Sequence, residues 1–480
     1  MNKILQNIKT YKIIGNVPDT TSKVCIDSRQ VAYGAVFIAI NGVNTDGHQY
    51  IDKAIAGGAN IIVCEELPET LNEKTCYIQV KDSAAAAGII ASNYYDNPSS
   101  KIKVIGITGT NGKTTTATML YNLFSSLGYY CGLISTVQNI VGTHITASTH
   151  TTPDPISLNE LLAEMAEEGC EYCFMEVSSH AAHQKRISGI KYYGGIFTNI
   201  THDHLDYHKT FPAYIAAKKM FFNALGSDAF ALTNIDDKNG NVMLENCEAR
   251  KYSYGIKNYA DFHTKIIEKD IKGTLVQINS KEMWLPLPGT FNVYNQTSVY
   301  ATAVLCGIDE AEAAEHISNI KGAEGRFQIV PNQYNKVVIV DYAHTPDALE
   351  NILKTLKEFE NQYQRIICVF GAGGDRDKTK RPEMGEIAAK YSDLCIVTSD
   401  NPRSEDPNSI IEDIMQGVDI VSKKKVMCVC DRKEAIKIAL QMMQQDDILL
   451  IAGKGHEKYQ EIKGVKHHFD DVEIVNEFLK

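Results

Sequence analysis

Short apolar runs alternate along the chain with stretches in which apolar residues recur every three or four positions. The runs are typical of buried strands, and the clearest are 103–108, 171–177, 195–200, 336–341, 365–371, 394–399 and 447–453. The periodic stretches between them are typical of amphipathic helices. This alternation predicts an α/β fold with largely parallel sheets.

One of the helices is predicted with its ends. Residues 154–169 begin with Asp154, which can cap a helix, and Pro155, which fits a first turn. The apolar stripe of this predicted helix comprises Leu158, Leu161, Leu162 and Met165. A second stretch, 211–225, has the same kind of periodicity and bears on the chemistry below.

The chain has 480 residues, which is too long for one ordinary core. At about 100–200 residues per domain, three domains are the first expectation. Polar, turn-rich segments at 94–101 and 324–336 mark the breaks. We therefore expect a smaller N-terminal α/β domain (1–98), a central domain with a mostly parallel sheet (99–330) and a Rossmann-like α/β domain (331–480).

Composition narrows the class of protein. The net charge is −11 and no basic cluster is present, so we expect no nucleic-acid partner. No apolar run approaches the length of a membrane span, and the N-terminal segment lacks a signal-peptide core. The 12 cysteines are scattered, and Cys170–Cys173 is a lone C-x-x-C pair, so buried free thiols are expected rather than zinc. These features predict a cytoplasmic protein without a membrane partner.

The segment GITGTNGKTTT, 106–116, resembles a phosphate-binding loop with one glycine displaced. The usual pattern, G-x-x-x-x-G-K-[ST], requires glycine where Ile107 stands. The context is nevertheless a buried strand, a glycine turn and a helix start, where unpaired N–H groups favour phosphate. Lys113 would neutralise phosphate charge and Thr114 would reach Mg²⁺. The alternative is a glycine- and threonine-rich turn without a ligand.

Residues that follow the neighbouring strands should face this loop, because ligands sit beyond the carboxyl ends of parallel strands. They are Glu176 with the segment 177–180 (VSSH) and the histidine-rich segment 201–208 (THDHLDYH). Glu176 and these histidines could complete a metal shell with Thr114. The alternative is that each histidine lies on a surface loop.

In the predicted helix 211–225, Lys218 falls within the apolar stripe, whereas Lys219 points away from it. A buried lysine has a lowered pKa, and its neutral amine is nucleophilic. Such an amine can add CO₂, and the resulting carbamate could hold Mg²⁺. The alternative is that Lys218 extends to the edge of the helix.

Eight motifs together resemble the Mur ligase family, the ATP-dependent amide-forming enzymes of bacterial cell-wall precursor synthesis. They are GTNGKTT (109–115), MEVSSH (175–180), HDHLDYH (202–208), AAK (216–218), FNVYN (291–295), GR (325–326), DYAHTPDAL (341–349) and GKGHE (453–457). The displaced glycine is normal for a loop of this family. The motifs keep the family's order over most of the chain.

The resemblance implies an ATP site and a catalytic set. ATP would be bound by Gly109, Thr110, Asn111, Gly112, Lys113, Thr114 and Thr115, by Asn292 and Asn295 near the adenine, and by Arg326 and Asp341 near a hinge. Lys113, Glu176, His204 and Lys218 would be catalytic. The implied Mg²⁺ ligands are Thr114, Glu176, His204 and carbamylated Lys218. Gln328 departs from the family pattern, which has an acidic residue there.

Within the family, the resemblance is to members that add the third residue of the stem peptide to UDP-MurNAc-L-Ala-D-Glu. That substrate would be held by Ile26, Ser28, Thr151, Thr152, Ser178, Gln184 and Arg186, and the segments 27–29 (DSR) and 42–48 (GVNTDGH) resemble the UDP-binding domain. ATP would activate the D-glutamate γ-carboxylate as an acyl phosphate, which an amine then attacks. The three domains would each carry one substrate, and we expect a monomer.

The third residue is meso-diaminopimelate or L-lysine, and DNPR (400–403) is typical of the diaminopimelate-adding members. The implied pocket comprises Arg376, Asp400, Asn401, Pro402, Arg403, Gly453 and Glu457. Arg403 would bind the distal carboxylate and Glu457 an ammonium. The alternative for this segment is a polar turn that caps a helix from Pro407.

Two rival functions remain. One is folylpolyglutamate synthetase, against which the long N-terminal domain with DSR argues. The other is a nucleotide-gated binding protein without ligase activity, against which the presence of Lys218 and GKGHE argues.

Overall fold

The computed structural model describes residues 3–42, 45–334, 336–359, 363 and 365–479, with the side chain of Asp206 excepted. Val43 and Asn44, which belong to the segment 42–48 named above, lie outside the described residues. The chain divides into two compact units, 1–253 and 254–480. This division falls within the expected central domain, and the boundaries after residues 98 and 330 stay predictions.

The first part of unit 1 is a five-stranded sheet with two helices. Its elements are β1 (Thr10–Ile14), β2 (Val24–Cys25), β3 (Ala35–Ile38), α1 (Ile51–Ala56), β4 (Ala59–Cys64), β5 (Cys76–Val80) and α2 (Ser83–Tyr94). The strand order is β1-β5-β4-β3-β2, and only β1 runs antiparallel to its neighbour among these strands. Short 3₁₀ turns cover Lys3–Leu5, Ser28–Gln30, Gly47–Tyr50 and Pro98–Ser100.

The rest of unit 1 is a larger sheet flanked by helices. Its elements are β6 (Lys103–Thr108), α3 (Lys113–Ser126), β7 (Cys131–Ile134), β8 (Gln138–Val141), β9 (His144–Ala147), α4 (Pro155–Glu167), β10 (Tyr172–Glu176), α5 (Ser179–His183), β11 (Tyr192–Phe197), α6 (Leu205–His208), α7 (Phe211–Asn223), β12 (Phe230–Asn234), α8 (Gly240–Leu244) and β13 (Arg250–Gly255). The order is β13-β12-β11-β6-β10-β7-β8-β9. Strands β12, β11, β6, β10 and β7 are parallel, while β8 and β9 form an antiparallel extension.

The register of this sheet aligns the strand ends that matter for the site. Glu176 at the end of β10 lies opposite Ile107, and Phe197 at the end of β11 lies opposite Thr108. The turn after β6 is therefore flanked on both sides by residues that leave the sheet at the same edge. This is the edge at which parallel α/β sheets bind ligands.

Unit 2 contains an antiparallel meander and a second mostly parallel sheet. Its elements are β14 (Phe262–Asp270), β15 (Gly273–Ile278), β16 (Lys281–Leu285), α9 (Thr290–Leu305), α10 (Glu310–Ile317), β17 (Gln328–Ile329), β18 (Val337–Asp341), α11 (Pro346–Lys357), β19 (Arg365–Phe370), α12 (Lys380–Tyr391), β20 (Leu394–Val397), α13 (Pro407–Met415), β21 (Val426–Cys428), α14 (Arg432–Met442), β22 (Asp447–Ala452), β23 (Tyr459–Ile462), β24 (Val465–His468) and α15 (Asp471–Phe478). A 3₁₀ turn covers Ser422–Lys425.

The second sheet has the order β17-β18-β22-β19-β20-β21, with β17 as its antiparallel edge. Both faces are buried, because alternate residues of one strand enter different cores. In β18, for example, Ile339 packs with Leu353 and Leu450, whereas Val338 and Val340 belong to the core on the other face. Strands buried on both faces read as continuous apolar runs, which is why the sequence shows them clearly.

The predicted elements are confirmed, and most have shorter bounds, whereas 103–108 is unchanged and the strand expected at 195–200 begins earlier, at Tyr192. Asp154 caps α4 by accepting hydrogen bonds from the N–H groups of Ile156 and Ser157. Leu161 is only partly buried, unlike the rest of its stripe. The strands expected at 195–200 and 394–399 end at Phe197 and Val397, because the residues that follow turn away to form the site loops. In the described part of the chain, no helix combines the length and the apolar character needed to cross a membrane.

The cysteines are free thiols, and nine of them are buried. Cys170 and Cys173 are both in this buried set, where burial raises the pKa of each thiol. Cys428 is exposed and Cys430 half-buried, so the prediction of buried thiols does not hold for the segment around β21.

Candidate active site

The turn between β6 and α3 depends on two glycines. Gly112 has a φ of +86°, a left-handed conformation that side chains disfavour, and it is the residue from which α3 begins. At Gly109 a Cβ atom would overlap the hydroxyl of Thr198. A glycine is therefore required at position 109 for a steric reason, because the chain at the end of β11, the strand next to β6, approaches the turn closely.

The end of β11 holds this turn in place. Asn199 accepts a hydrogen bond from the Asn111 N–H at 3.0 Å and donates its amide to the Asn111 carbonyl at 3.1 Å. The Asn199 carbonyl accepts from the Thr110 N–H at 2.8 Å, and the Thr198 hydroxyl donates to Asn111 at 2.6 Å. Thr198 and Asn199 were not predicted as site residues, although their place beyond a strand next to β6 was available as a signal.

Two lysines converge on the turn. The Lys113 ammonium donates to the carbonyls of Gly109 at 3.0 Å and Thr110 at 2.8 Å. The Lys218 side chain is 1% exposed, and its Nζ donates to the same Gly109 carbonyl at 2.6 Å. Burial and the charge of Lys113 hold the pKa of Lys218 well below its usual range. The prediction of a buried Lys218 is confirmed, and its extension to the helix edge is excluded.

The helical pattern around Lys218 is also as expected. Tyr214, Phe221 and Phe222 are fully buried on the same face of α7. Lys219 lies at the edge of that face and pairs with Glu245 at 2.8 Å. The Lys219 side chain is mostly buried, whereas the helical periodicity predicted that it would point away from the apolar face.

Glu176 lies at the start of α3, as its position after β10 predicted. Its buried carboxylate accepts hydrogen bonds from the Thr114 hydroxyl at 2.9 Å and from the Thr136 N–H at 2.7 Å. The Thr136 hydroxyl adds a third contact at 3.2 Å. Thr136 was not predicted, because it follows β7 without any motif of its own.

The histidines form a cluster beside the turn. His180 packs edge-on against His204 with ring centroids 5.0 Å apart, and His208 contacts the Ser179 hydroxyl at 3.0 Å. Burial lowers the pKa of His204 to about 4, so its imidazole is neutral at pH 7. Within the described residues, no three His, Cys, Asp or Glu side chains are arranged to hold a metal ion by themselves.

A cavity of about 240 Å³ opens at this edge of the unit 1 sheet. Predicted site residues that line it are Lys113, Thr151, Thr152, Ser178, Arg186, His204 and Lys218. Its remaining lining residues are His150, Ser179 and His180, of which His150 has no sequence signal. The described lining carries cationic and hydroxyl groups but no carboxylate, so it suits an anionic ligand in a chain whose net charge is −11.

Arg186 joins one wall of this cavity. Its guanidinium donates to Gln184 Oε1 at 2.6 and 2.9 Å and to the Thr152 carbonyl at 3.0 Å. The Thr152 hydroxyl in turn donates to the Glu176 carbonyl at 2.8 Å. The structure therefore brings Thr152, Gln184 and Arg186 together at the cavity that Lys113 also lines. Ile26 and Ser28 are half-buried in the N-terminal sheet region and do not line this cavity.

A second polar cluster lies in unit 2, beyond the carboxyl ends of β19, β20 and β22. Asp400 and Asn401 are buried, and the Asn401 amide donates to Glu457 at 2.7 Å. At Gly453, which has a φ of +116°, a Cβ atom would approach Asp400 to 2.8 Å. Asn401, Asp400, Gly453 and Glu457 thus lie together in one cluster, and their role in binding a ligand stays a prediction.

Two arginines flank Gly373 at the edge of this cluster. A Cβ atom on Gly373 would lie 3.0 Å from Arg403 Nη1 and 3.7 Å from Arg376 Cγ. Arg403 donates to the Gly374 carbonyl at 2.7 Å and lies 3.5 Å from the Glu461 carboxylate, whereas Arg376 is exposed. Gly374 has no room for a side chain, because the Pro402 carbonyl packs against it. Pro407 begins α13, and Asp406 caps this helix. The segment that follows DNPR therefore also has the helix-capping role that was the alternative.

The other ATP-site residues expected in unit 2 have internal partners. Asn292 donates to the Pro288 carbonyl at 2.9 Å, and Asn295 lies 3.4 Å from Asn292. Arg326 stacks on the Tyr342 ring at 4.4 Å. The described contacts of Asp341 include the N–H groups of Phe327 at 2.6 Å and Ala343 at 2.8 Å. Burial raises the pKa of its carboxyl group.

Gln328, the departure from the family pattern, completes a local turn. Its Oε1 accepts a hydrogen bond from the Gly325 N–H at 2.8 Å. An amide oxygen accepts such a bond without adding a negative charge beside Asp341.

Known proteins resemble this chain along nearly its whole length. Three family models match it: the Mur ligase family catalytic domain at 20–95, the Mur ligase middle domain at 107–303 and the glutamate ligase domain of Mur ligases at 325–455. A UDP-N-acetylmuramoyl-L-alanyl-D-glutamate–2,6-diaminopimelate ligase from Cytophaga hutchinsonii is 53% identical over 477 residues, which cover 99% of this chain and 98% of the relative.

Solved structures of Mur ligases also resemble this chain. A structure of a diaminopimelate ligase of the same name has a TM-score of 0.69 at 32% identity, covering 96% of this chain and 94% of its own. MurF ligase from Thermotoga maritima, solved in complex with ADP, shares the fold with a TM-score of 0.62 at 18% identity, covering 96% and 97%. The chain therefore belongs to the Mur ligase family.

Proposed function

We propose that this protein is the ATP-dependent ligase that joins meso-2,6-diaminopimelate to the D-glutamate γ-carboxylate of UDP-MurNAc-L-Ala-D-Glu, in the synthesis of peptidoglycan precursors. The observation that carries the proposal is the end-to-end likeness to a relative of that name at 53% identity. The loop, the cationic cavity and the arginine-flanked cluster support the proposal.

The first step activates a carboxylate. A γ-carboxylate oxygen attacks the γ-phosphorus of ATP, and ADP leaves, which gives an acyl phosphate. Negative charge on the transferring phosphoryl group must be stabilised where it develops. Lys113 lies across the turn with its ammonium 3.0 Å from the Gly109 carbonyl, at the helix start where phosphate oxygens would meet N–H groups. The turn from Gly109 to Thr115 is the proposed phosphate site.

The second step forms the amide. The amine of the incoming amino acid attacks the acyl carbon, and the tetrahedral intermediate collapses with loss of phosphate and of the amine proton. His204 stays neutral at pH 7, since burial lowers its pKa to about 4. Its neutral imidazole can therefore accept a hydrogen bond within the cavity without adding positive charge. We assign this supporting role to His204.

A magnesium ion fits the donor set beside the turn. Mg²⁺ keeps several waters and is bound by one or two protein groups plus substrate phosphates. The Thr114 hydroxyl and the Glu176 carboxylate are 2.9 Å apart and would hold such an ion, and His204 and carbamylated Lys218 are the further proposed ligands. When bound, the ion would supply positive charge to the phosphate oxygens.

Lys218 is the proposed site of carbamylation. Its lowered pKa leaves a neutral amine that can attack CO₂, with loss of one proton, to give a carbamate. The modified side chain would place an anion on the cavity wall, where Lys113 and Mg²⁺ can balance it.

The diaminopimelate pocket is proposed for the cluster in unit 2. Arg403 would bind the distal carboxylate with its planar fork, and Arg376 would add a second cation. Asn401 would contact the distal end of the ligand and Glu457 would bind its ammonium, with Asp400, Pro402 and Gly453 shaping the wall. L-lysine lacks the distal carboxylate, so it would offer the arginines no carboxylate to bind.

The remaining assignments extend the same proposal. ATP would also contact Asn292, Asn295, Arg326 and Asp341, and the UDP-sugar would contact Ile26 and Ser28. In the cavity, the muramoyl-dipeptide would contact Thr151, Thr152, Ser178, Gln184 and Arg186. We propose that the protein acts as a monomer in the cytoplasm, which light scattering and cell fractionation can test.

Phosphate release with different substrate pairs tests the function. We expect ATP-dependent release with UDP-MurNAc-L-Ala-D-Glu plus meso-diaminopimelate, and only background release with folate plus glutamate. A preference for the folate pair would replace the proposal by folylpolyglutamate synthetase activity. Nucleotide binding without release on any pair would indicate a binding protein instead.

A further inference from the structure

Lys454 lies at the centre of the pocket wall, although the proposed contacts with diaminopimelate do not include it. It follows β22 between Gly453 and Gly455, and its side chain is fully buried. Its Nζ lies 3.1 Å from Asn401 Oδ1, 3.4 Å from Glu457 Oε2 and 3.5 Å from Asp400 Oδ1. An ammonium has three donors, and here each faces one of these pocket residues.

We infer that Lys454 is a positioning residue that sets the charge and the orientation of the diaminopimelate pocket, and so contributes to the choice of diaminopimelate over lysine. The inference rests on the proposed function. It adds an internal cation to a pocket whose other cations, Arg376 and Arg403, lie at its edge.

The first part of the inference concerns the orientation of Asn401. Its Oδ1 accepts from Lys454 and from the backbone N–H of Glu461 at 2.9 Å, and both groups can only donate. The amide nitrogen must therefore point the other way, toward Glu457 Oε2 at 2.7 Å. Lys454 thus fixes which end of the Asn401 amide faces the ligand, and it holds Glu457 in the same arrangement.

The second part concerns charge. Asp400 and Glu457 bring two carboxylates to one wall, and Lys454 offsets one of them. Two other charged pairs adjoin the cluster, Arg432 with Asp471 at 2.7 Å and Arg403 with Glu461 at 3.5 Å, and each pair is internally balanced. Asp400, Glu457 and Lys454 together therefore carry one net negative charge, which matches a single ligand ammonium. Without Lys454 the wall would carry two, beside the place proposed for the ligand's distal carboxylate.

This charge difference predicts a change of selectivity rather than a uniform loss. The distal end of meso-diaminopimelate carries both a carboxylate and an ammonium, whereas that of L-lysine carries an ammonium alone. Added negative charge repels the carboxylate and attracts the ammonium. Removal of Lys454 should therefore weaken the binding of diaminopimelate more than the binding of lysine.

The test is Lys454→Met, assayed by phosphate release with each amino acid at saturating ATP and UDP-MurNAc-dipeptide. We expect the KM for diaminopimelate to rise about 30-fold and the diaminopimelate-to-lysine ratio of kcat/KM to fall at least about tenfold. The KM for ATP should stay within about twofold. Lys433→Met, which breaks the surface pair between Lys433 and Glu477, is the matched control and should behave as wild type.

A charge-restoring double variant distinguishes positioning from simple structural support. Asp400→Asn combined with Lys454→Met returns the wall to one negative charge, and we expect it to recover most of the lost selectivity ratio. If Lys454→Met alone does not fold, the diaminopimelate-to-lysine ratio of the double variant still tests the inference. An unchanged ratio in folded Lys454→Met, or a double variant whose ratio stays at least tenfold below wild type, would overturn the inference.

The proposed function and the role of Lys454 can be refuted separately. If wild-type protein does not consume diaminopimelate, the proposed function is wrong and the inference is wrong with it. If wild-type protein consumes diaminopimelate and Lys454→Met keeps its preference, only the role of Lys454 is wrong.

Discussion

Arg403→Ala tests the proposed diaminopimelate pocket. Arg403 is already fixed in position, because its Nη1 donates to the Gly374 carbonyl at 2.7 Å and its backbone N–H donates to the Glu461 carbonyl at 3.0 Å. Little ordering is therefore required when the guanidinium meets a ligand carboxylate. The substitution should remove that contact while it leaves the turn intact, since the φ of +51° is equally unusual for arginine and alanine.

The size of the effect follows from the contact that is lost. A hydrogen bond to a charged group contributes about 1.5–3 kcal/mol, which corresponds to about 10- to 150-fold in binding. The Arg403 side chain is 23% exposed, so water screens part of the interaction. We therefore expect the lower part of this range, with the KM for meso-diaminopimelate raised about 10- to 50-fold.

The assay is phosphate release with diaminopimelate varied at saturating ATP and UDP-MurNAc-dipeptide. Arg403→Lys keeps the charge without the planar fork, and we expect an effect between those of wild type and alanine. Arg250→Ala, at an exposed arginine of unit 1, is the control. A KM for diaminopimelate within threefold of wild type, or an equal rise in the KM for ATP, would refute the placement of Arg403 in the pocket.

Three further predictions concern single residues. Lys113→Ala should lower kcat at least about 100-fold by removing charge from the phosphate site, and near-normal turnover would exclude this turn as the ATP loop. Lys218→Ala should be nearly inactive and partly restored by short carboxylates, whereas Lys219→Ala should stay active; an unmodified Lys218 in a crystal structure with substrate, ATP analogue and Mg²⁺ would refute the carbamate. Burial lowers the pKa of His456 to about 3, while an unfolded histidine takes up a proton below about pH 6.5. The thermal unfolding midpoint should therefore fall as the pH drops from 6.5 toward 3, and less steeply in His456→Gln; equal slopes would contradict this.

Local signals explain most of what the sequence predicted. The strand, turn and helix of the proposed ATP loop lie within 103–126, so neighbouring residues alone specify them. The burial of Lys218 followed from helical spacing, because a residue three or four positions from several apolar residues must share their face. Glu176 was placed by the general rule that parallel strands present their carboxyl ends at one edge.

Long-range contacts explain what the sequence did not predict. Thr136 contacts Glu176 and Asn199 contacts the turn after β6, both across distant parts of the chain, and neither residue belongs to a recognisable spacing pattern. The hairpin of β8 and β9 also escaped prediction, because β9 is exposed throughout and lacks the apolar alternation of a half-buried strand. Lys454 was part of a recognised motif, but only the folded structure shows its three partners.

The same limit applies to Glu457. The sequence predicted that this carboxylate would meet an ammonium, and in the structure an ammonium of the protein itself, that of Lys454, lies 3.4 Å away. A ligand ammonium would therefore share Glu457 with Lys454 rather than bind an isolated carboxylate. Such sharing cannot be read from spacing, since it depends on the way two loops pack.

The central claim is that this ligase adds meso-diaminopimelate to UDP-MurNAc-L-Ala-D-Glu. The most direct measurement is mass spectrometry of the product formed from equal concentrations of meso-diaminopimelate and L-lysine with ATP and Mg²⁺. We predict that the diaminopimelate-containing UDP-MurNAc-tripeptide exceeds the lysine product by about 1,000-fold or more, because L-lysine lacks the distal carboxylate that the proposed site binds. Comparable amounts of the two products, or lysine product alone, would contradict the account.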